Sequence, residues 1–241
     1  MSQNISFNIY VMSHQRANVH LTDKVLEYFT YVVREEEADE YKKNGHKNLL
    51  VIPSCAVTDF VSTLFWILEN TKEDVVAILD DDIKRFGYRT IDWQPIETDE
   101  HGKSIVSQEL ERIAQLLVDL NLGLAFPPMS KALYAYNRPF TAYGTPGQFR
   151  IINKKCFKAS YNPRDKAKGD IDIVMQEVLK NRLCLREMYF LPDAFQDKIL
   201  GVNETDLRND HYDYIYALMN KWGKYFDYDF KKNQAKIKIQ R

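Results

Sequence analysis

Over its first two thirds the chain alternates short apolar runs with segments of helical spacing, the pattern of a mostly parallel sheet covered by helices. Residues 5–12 read as a strand, 21–30 as a helix that Thr22 or Asp23 could cap, and 31–34 and 48–52 as further strands, the last ended by Pro53. Across 58–69, Phe60, Val61, Leu64, Phe65 and Leu68 recur at the spacing of one buried helical face. Residues 74–79 then carry an unbroken run, VVAIL, as expected of a central strand buried on both faces. That run leads directly into Asp80, Asp81 and Asp82.

Beyond the aspartates, 90–103 is polar and aperiodic and reads as a lid-like loop. Residues 107–120 place Leu110, Ile113, Leu117 and Leu120 on one side of a helix, and 122–126 form a strand stopped by Pro127 and Pro128. Residues 134–153 mix aromatics with Gly and Pro, which predicts irregular strands or a hairpin over the sheet edge. A helix over 172–182, a strand over 184–191 and a final helix over 206–222 complete the pattern. The last eleven residues carry five positive charges and no acid. With no internal repeat, linker or composition break, a single α/β domain over 1–241 is expected.

Composition narrows the classes. At 45% hydrophobic and 28% charged, with a net charge of -1, the chain is neither collagen-like, disordered nor strongly basic. Its 33 basic and 34 acidic residues provide no global positive field, so a polyanion would have to be met by a local patch. Cys55, Cys156 and Cys184 form no CxxC pair, which argues against a disulfide framework or a thiolate zinc site and fits a reducing cytoplasm. The first residues lack a basic region followed by an apolar core, and no run approaches the roughly 18 apolar residues of a spanning helix, so neither export nor membrane insertion is expected.

The chemistry concentrates at the aspartates. In open α/β sheets ligands bind beyond the carboxyl ends of the strands, where a buried strand here delivers three acids. Strand geometry sends Asp80 and Asp82 to one face and Asp81 to the other. Adjacent carboxylates repel, and a hard divalent cation such as Mg²⁺ or Mn²⁺ offsets that repulsion, held by one or two carboxylates with phosphates and waters filling its other positions. A solvated acidic turn capped by Asp82 is the plain alternative, against which the buried strand weighs.

An N-terminal strand ending in a polar loop with a basic residue, a second strand leading to acids, and an aspartate pair after a later strand resemble the nucleotide-sugar glycosyltransferases of the GT-A fold. More narrowly, NIYVMSHQRAN, YVVREEEADEY, ILDDDIKRF and GDIDIVMQ resemble the TET/JBP-associated glycosyltransferases, phage-encoded enzymes that decorate hydroxymethylated pyrimidines in DNA. The resemblance implies a GT-A-like α/β fold, a nucleoside diphosphate sugar, UDP-linked by preference, and a divalent cation on Asp80 and Asp82. It also implies donor contacts from Ser13, His14, Arg16 and Asn18 in the first loop, from Glu35 after the second strand, and from Asp80, Asp81 and the late Arg208.

The resemblance further implies His211 as a third metal ligand, and Asp170 as the carboxylate facing the acceptor hydroxyl, with Asp172 a second candidate and Gly169 standing where many relatives have Glu. Arg138, Tyr143 and Arg150, aided by the basic tail, would meet a DNA acceptor carrying hydroxymethylated bases. Each has an ordinary structural alternative: a turn arginine for Arg16, a solvated face for the EEEADE run, a helix cap for Asp170 or Asp172, a surface His211 and core aromatics. A nucleotidyltransferase is disfavoured because MSHQRAN contains no glycine for a phosphate loop. A non-catalytic DNA-binding protein would leave the acidic triplet unexplained, and a saccharide or protein acceptor remains an alternative to DNA.

Overall fold

The computed structural model describes residues 5–18, 21–129, 131–163, 168–194, 211–232 and 234–239. In chain order the strands are β1 (Phe7–Met12), β2 (Thr30–Arg34), β3 (Leu49–Ile52), β4 (Val75–Asp80), β5 (Ile83–Arg89), β6 (Trp93–Pro95) and β7 (Leu124–Phe126). They continue with β8 (Phe140–Thr141), β9 (Phe149–Asn153), β10 (Leu185–Glu187), β11 (Phe190–Ala194), β12 (Phe226–Asp229) and β13 (Gln234–Ile237). The α-helices are α1 (Ala38–Lys43), α2 (Phe60–Asn70), α3 (Glu100–Asp119), α4 (Gly169–Asn181) and α5 (His211–Trp222).

Among the described residues, eight strands form one sheet in the order β3-β2-β1-β4-β9-β7-β10-β8. β3, β2, β1 and β4 are parallel, β9 runs against β4 and β7, and β10 is again parallel to β7. This is the expected mostly parallel α/β sheet. β4 shows why it sits at the centre: Val75, Ala77 and Leu79 pack into one core with Leu110, Ile113 and Leu117 of α3. Val76 and Ile78 pack into another with Leu64 and Ile67 of α2 and Val174 of α4. Each buried branched side chain contributes about 1.5–3 kcal/mol, so the strand is strongly held on both faces. α2 begins where Asp59 accepts from the Ser62 amide at 2.9 Å and the Ser62 hydroxyl accepts from the Asp59 amide at 3.0 Å, a reciprocal cap.

Several segments depart from the sequence pattern. The helix expected over 21–30 is one 3-10 turn, Thr22–Lys24, closed by the Val25 amide donating to the Thr22 carbonyl at 3.2 Å; the Thr22 side chain is used elsewhere, and Val25 and Leu26 are buried. The loop expected over 90–103 contains β6 and the first turn of α3, capped by Asp99 accepting from the Gly102 amide at 2.8 Å. β9 is not at the edge: FRIIN is buried throughout and lies between β4 and β7. The strand over 184–191 divides into β10, in the main sheet, and β11, in a small antiparallel sheet with β5 and β6. The first part of the helix expected over 206–222 lies outside the described residues, and α5 follows from His211.

The basic tail is not a free arm. β13 pairs with β12, and Ile237 joins Phe226, Tyr228, Ile215 and Leu218 in a third core with Ile171 and Met175 of α4. Two of its lysines face acids of β12: Lys238 Nζ is 2.8 Å from Asp227 and Lys236 Nζ 3.5 Å from Asp229. Asp172 fastens this unit to the body. It is buried, and its oxygens accept from Trp222 Nε1 at 2.6 Å, Lys221 Nζ at 2.8 Å and Gln176 Nε2 at 2.7 Å. Asp172→Ala is expected to lower stability by about 2–3 kcal/mol, the cost of leaving charged and indole donors unpaired, measured as a shift of the urea midpoint. A midpoint equal to that of the parent chain would show that α5 is held by its apolar contacts alone.

Candidate active site

Parallel pairing sets Met12 beside Asp80, so the loop after β1 and the aspartates after β4 leave the sheet at one level. Asp81 joins the two. Its Oδ2 accepts from the Ser13 hydroxyl at 2.5 Å and its Oδ1 from Arg16 Nη1 at 2.6 Å. The Ser13 hydroxyl also lies 2.6 Å from the Tyr41 hydroxyl of α1. Both oxygens of this buried carboxylate are therefore engaged by protein, and Asp81 acts as the anchor of the 13–18 loop. Gln15 takes a left-handed φ of 57°, and its amide donates to Glu37 Oε2 at 2.7 Å while His14 Nδ1 bonds Glu37 Oε1. Asn18 is exposed.

Glu37, buried within the EEEADE run, is thus the acid that shapes this loop. Glu35, named from the sequence, is exposed and accepts from the Ser54 amide at 3.0 Å, which holds its carboxyl below the usual range. Sequence reasoning missed Glu37 because period alone does not separate one acid from the other four of the run; as site residues it also missed Tyr41 and Thr22.

Thr22 closes the aspartate turn. Its hydroxyl donates to the Asp80 carbonyl at 2.9 Å and accepts from the Ile83 amide at 3.0 Å, so one buried side chain ties both ends of the turn. The Asp80 carboxylate receives Arg150 Nη1 at 3.0 Å, and the Arg150 guanidinium sits 4.5 Å from the centre of the Phe60 ring. Enclosure by protein pushes the Asp80 carboxyl up to about 6, against the pull of Arg150 and with the repulsion of Asp82 and Asp81. Its side chain nonetheless keeps 34% of its surface open to solvent.

Asp82 is raised as well, first by burial and then by Asp81, and its Oδ1 is buried with no hydrogen-bond donor among the described residues. An orphaned carboxylate oxygen beside an open carboxylate is a donor set that suits a hard cation. The described residues contain no cluster of three or more His, Cys, Asp or Glu that could hold a metal. Waters and phosphate oxygens would have to complete an octahedral shell. The side chain of His211 and all of Arg208 lie outside the described residues.

The first turn of α4, which carries Asp170, is placed by a glycine. A Cβ on Gly169 would fall 2.4 Å from Val61 Cγ2, so glycine lets the first turn of α4 press against α2. Phe60, next to Val61, carries Arg150, which in turn holds Asp80. Through these contacts Asp170 stands on the same side of the sheet as the aspartate turn, half-exposed, with no hydrogen bond or ion pair among the described residues. Asp172, two residues on, is the buried tie to α5, and that engagement takes it out of the candidate chemistry. The three residues assigned to the acceptor separate. Arg138 is exposed on its loop, bonding Asn137 at 3.2 Å, Tyr143 is half-buried against the core, and Arg150 belongs to the Asp80 cluster.

The neighbouring acids should respond to neutralisation with opposite signs. Asp81→Asn removes the charge that holds Ser13 and Arg16 and is expected to cost about 2 kcal/mol. Asp82→Asn relieves burial and repulsion of an unpaired carboxylate, so its midpoint in chelator-containing buffer should equal or exceed that of the parent. Guanidinium denaturation of the two variants decides it, and a larger loss for Asp82→Asn would contradict the geometry.

No curated protein matches the chain. Among solved structures, glucosyl-3-phosphoglycerate synthase from Mycobacterium tuberculosis, in complex with Mg²⁺ and uridine diphosphate, superposes with a TM-score of 0.53 at 9% identity, covering 97% of this chain and 87% of that one. The same synthase with Mn²⁺, UDP-glucose and phosphoglyceric acid gives 0.53 at 8% identity, covering 97% and 86%. These likenesses establish the fold. S. aureus TarS 1-349 matches at 12% identity and a TM-score of 0.46; the match covers 77% of this chain and spans only 60% of the length of that one. The TET-associated glycosyltransferase family matches residues 7–191, which include both strands that frame the site and the aspartate turn. The chain belongs to the TET-associated glycosyltransferase family and is a glycosyltransferase.

Proposed function

We propose that this glycosyltransferase moves a sugar from a nucleoside diphosphate sugar, most simply a UDP-sugar, to the hydroxyl of a 5-hydroxymethylpyrimidine in DNA, with Mn²⁺ or Mg²⁺ bound by Asp80 and Asp82. The observation that carries the metal is the buried, unpaired Asp82 Oδ1 beside the partly open carboxylate of Asp80 at the end of the central strand. The Mg²⁺–uridine diphosphate and Mn²⁺–UDP-glucose complexes of the mycobacterial synthase support the same pairing of cation and donor on this fold. The family supports the DNA base as acceptor. One domain over 1–241, acting in the cytoplasm of a host cell, is the corresponding organisation.

When bound, a divalent cation would offset negative charge on the departing diphosphate. The chain's own residues set the rest. The 13–18 loop, fixed by Asp81 and Glu37, presents Ser13, His14 and Arg16 beside the donor crevice. Arg16 is held by Asp81, so its position is set before a ligand arrives. Arg150 holds Asp80 in place from β9. Asp170, with no protein partner among the described residues, takes the proton of the attacking hydroxyl if configuration inverts and otherwise positions that hydroxyl.

Two variants and one acceptor panel test this reading. Asp82→Ala should abolish turnover that Mn²⁺ restores to chelator-treated parent enzyme. Asp170→Asn should lower kcat by about 10² to 10⁴ while the donor KM stays near the parent value, as expected when a proton-transfer group is lost. Radiolabelled transfer is followed to oligonucleotides with 5-hydroxymethylcytosine or 5-hydroxymethyluracil, to unmodified DNA, and to saccharide and protein acceptors. Label only in the last two overturns the DNA acceptor, and Mn²⁺-independent activity overturns the metal.

A further inference from the structure

Arg186 is the side chain that the site as described does not use. It lies on β10, opposite Phe126 of β7 and Thr141 of β8. Its Nε is buried and has no acceptor, and among the described residues no oxygen or carboxylate bonds any of its N–H groups. The adjacent Glu187 is committed elsewhere: it accepts from Arg112 Nη2 at 3.3 Å and from the amides of Tyr189 at 2.8 Å and Phe190 at 3.2 Å. A second cation, Arg89, is almost wholly buried nearby, spending its donors on the Met188 carbonyl at 2.9 Å and the Ala132 carbonyl at 3.2 Å. Burial, and then the repulsion of Arg89, make the Arg186 charge less favourable than in water. An arginine does not discharge at neutral pH, so this half-buried guanidinium keeps its charge with no carboxylate beside it among the described residues.

Its place in the sheet says which anion. Ile78 of β4 pairs with Arg150 of β9, Ile152 with Leu124 of β7, and Phe126 with Arg186. Continuing the β7–β9 register puts Phe126 opposite Arg150, so Arg150 and Arg186 flank Phe126 in one row, on the face that α4 covers. Arg150 has Asp80 as its partner; Arg186 has no counterpart among the described residues. Three strand steps of about 4.8 Å separate β4 from β10, so Arg186 stands about 14 Å along the sheet from the aspartate turn. The 13–18 loop and Glu37 lie on the other side of β4, over β1 and β2, the side that the proposed function gives to the donor. That function leaves the acceptor to cross β9, β7 and β10, on the face that α4 covers. Gly144 makes room for the side chain itself: at φ 150°, a Cβ there would come within 2.7 Å of Cδ, Nε and Cζ of Arg186, so only glycine lets the backbone pack against the stem of this arginine.

We infer that Arg186 binds a phosphate group of the acceptor through its planar N–H fork. Resting on the reading above, that phosphate is the phosphodiester flanking the hydroxymethylated nucleotide. Guanidinium matches two phosphate oxygens at once, and the buried Arg89 charge strengthens the local field without competing for the ligand.

The experiment measures fluorescence anisotropy of a labelled, unmodified single-stranded oligonucleotide over a salt series, and the thermal midpoint with and without inorganic phosphate, for the parent chain, Arg186→Gln and Arg186→Lys. Arg186→Gln should weaken the oligonucleotide about tenfold and reduce the log-log salt slope by about 0.7, the value of one neutralised phosphate on a single strand. It should also lose the phosphate-induced rise in midpoint, while in phosphate-free buffer its midpoint equals or exceeds that of the parent. Arg186→Lys should keep the slope and lose several-fold in affinity, because charge remains and the fork is gone.

Loss of phosphate stabilisation in Arg186→Gln with no oligonucleotide binding by the parent would support the phosphate site and overturn the DNA acceptor. Equal responses of parent and Arg186→Gln to both probes, or no response of the parent to either, overturn the inference, and transfer to hydroxymethylated DNA then judges the acceptor separately. If Arg186→Gln folds poorly, Arg186→Lys decides alone, with affinity equal to the parent overturning the fork.

Discussion

Three carboxylates at the end of a strand buried on both faces are an electrostatic burden, and the site is built around how each is compensated. Asp81 is matched inside the protein, by the Ser13 hydroxyl and the Arg16 guanidinium. Asp80 is matched partly, by Arg150 at 3.0 Å, and keeps an open face. Asp82 is matched by nothing among the described residues on its buried oxygen. The gradation matters because a charge fully satisfied by protein shapes the fold, whereas one left unsatisfied holds binding energy for a ligand. Three adjacent acids of one type thereby divide into an anchor, a partly tethered carboxylate and one whose buried oxygen no described residue meets.

The surroundings of the turn serve that division. Thr22 bonds its two ends, so Asp80 and Asp82 keep their separation without an ion to draw them together. Gly169 against Val61 couples α4 to α2, and Phe60 beside Val61 carries the arginine that orients Asp80. The 13–18 loop, the acidic turn and the first turn of α4 are therefore linked through single contacts. A displacement of α2 would disturb Arg150 and the first turn of α4 together, and a side chain at 169 would force one by meeting Val61 Cγ2 at 2.4 Å.

Much of this was legible in the sequence. VVAIL predicted a strand buried on both faces, and β4 is one; DDD at its end marked the turn. The amphipathic spacing of α2 and α3 located both helices, although α3 begins earlier, at Glu100. The failures share a cause. β9 reads as part of a Gly- and Pro-interrupted stretch, and only pairing with β4 and β7, fixed by contacts distant in sequence, makes it central. Thr22 has the composition of a helix cap, and its partners lie about 60 residues away. Asp172 and Asp170 are indistinguishable as letters. The helix turns one toward Trp222 and Lys221 and leaves the other unpaired, a difference of phase that becomes decisive once α5 is docked.

The distribution of positive charge follows the same logic. The basic C-terminal residues suggested a polyanion-tracking arm, but Lys236 and Lys238 answer Asp229 and Asp227 across a hairpin, so part of that charge is spent within the fold. The cations that matter lie at the carboxyl end of the sheet: Arg16 and Arg150 bound to aspartates, Arg89 bound to carbonyls, and Arg186 bound to neither. A chain of net charge -1 has no long-range pull on DNA, and exposed charges farther apart than about 8–10 Å act nearly independently at cellular salt. A nearly neutral chain that binds an anion has therefore to meet it at short range, where low dielectric makes one guanidinium without a protein partner among the described residues count for more than a tail of solvated lysines.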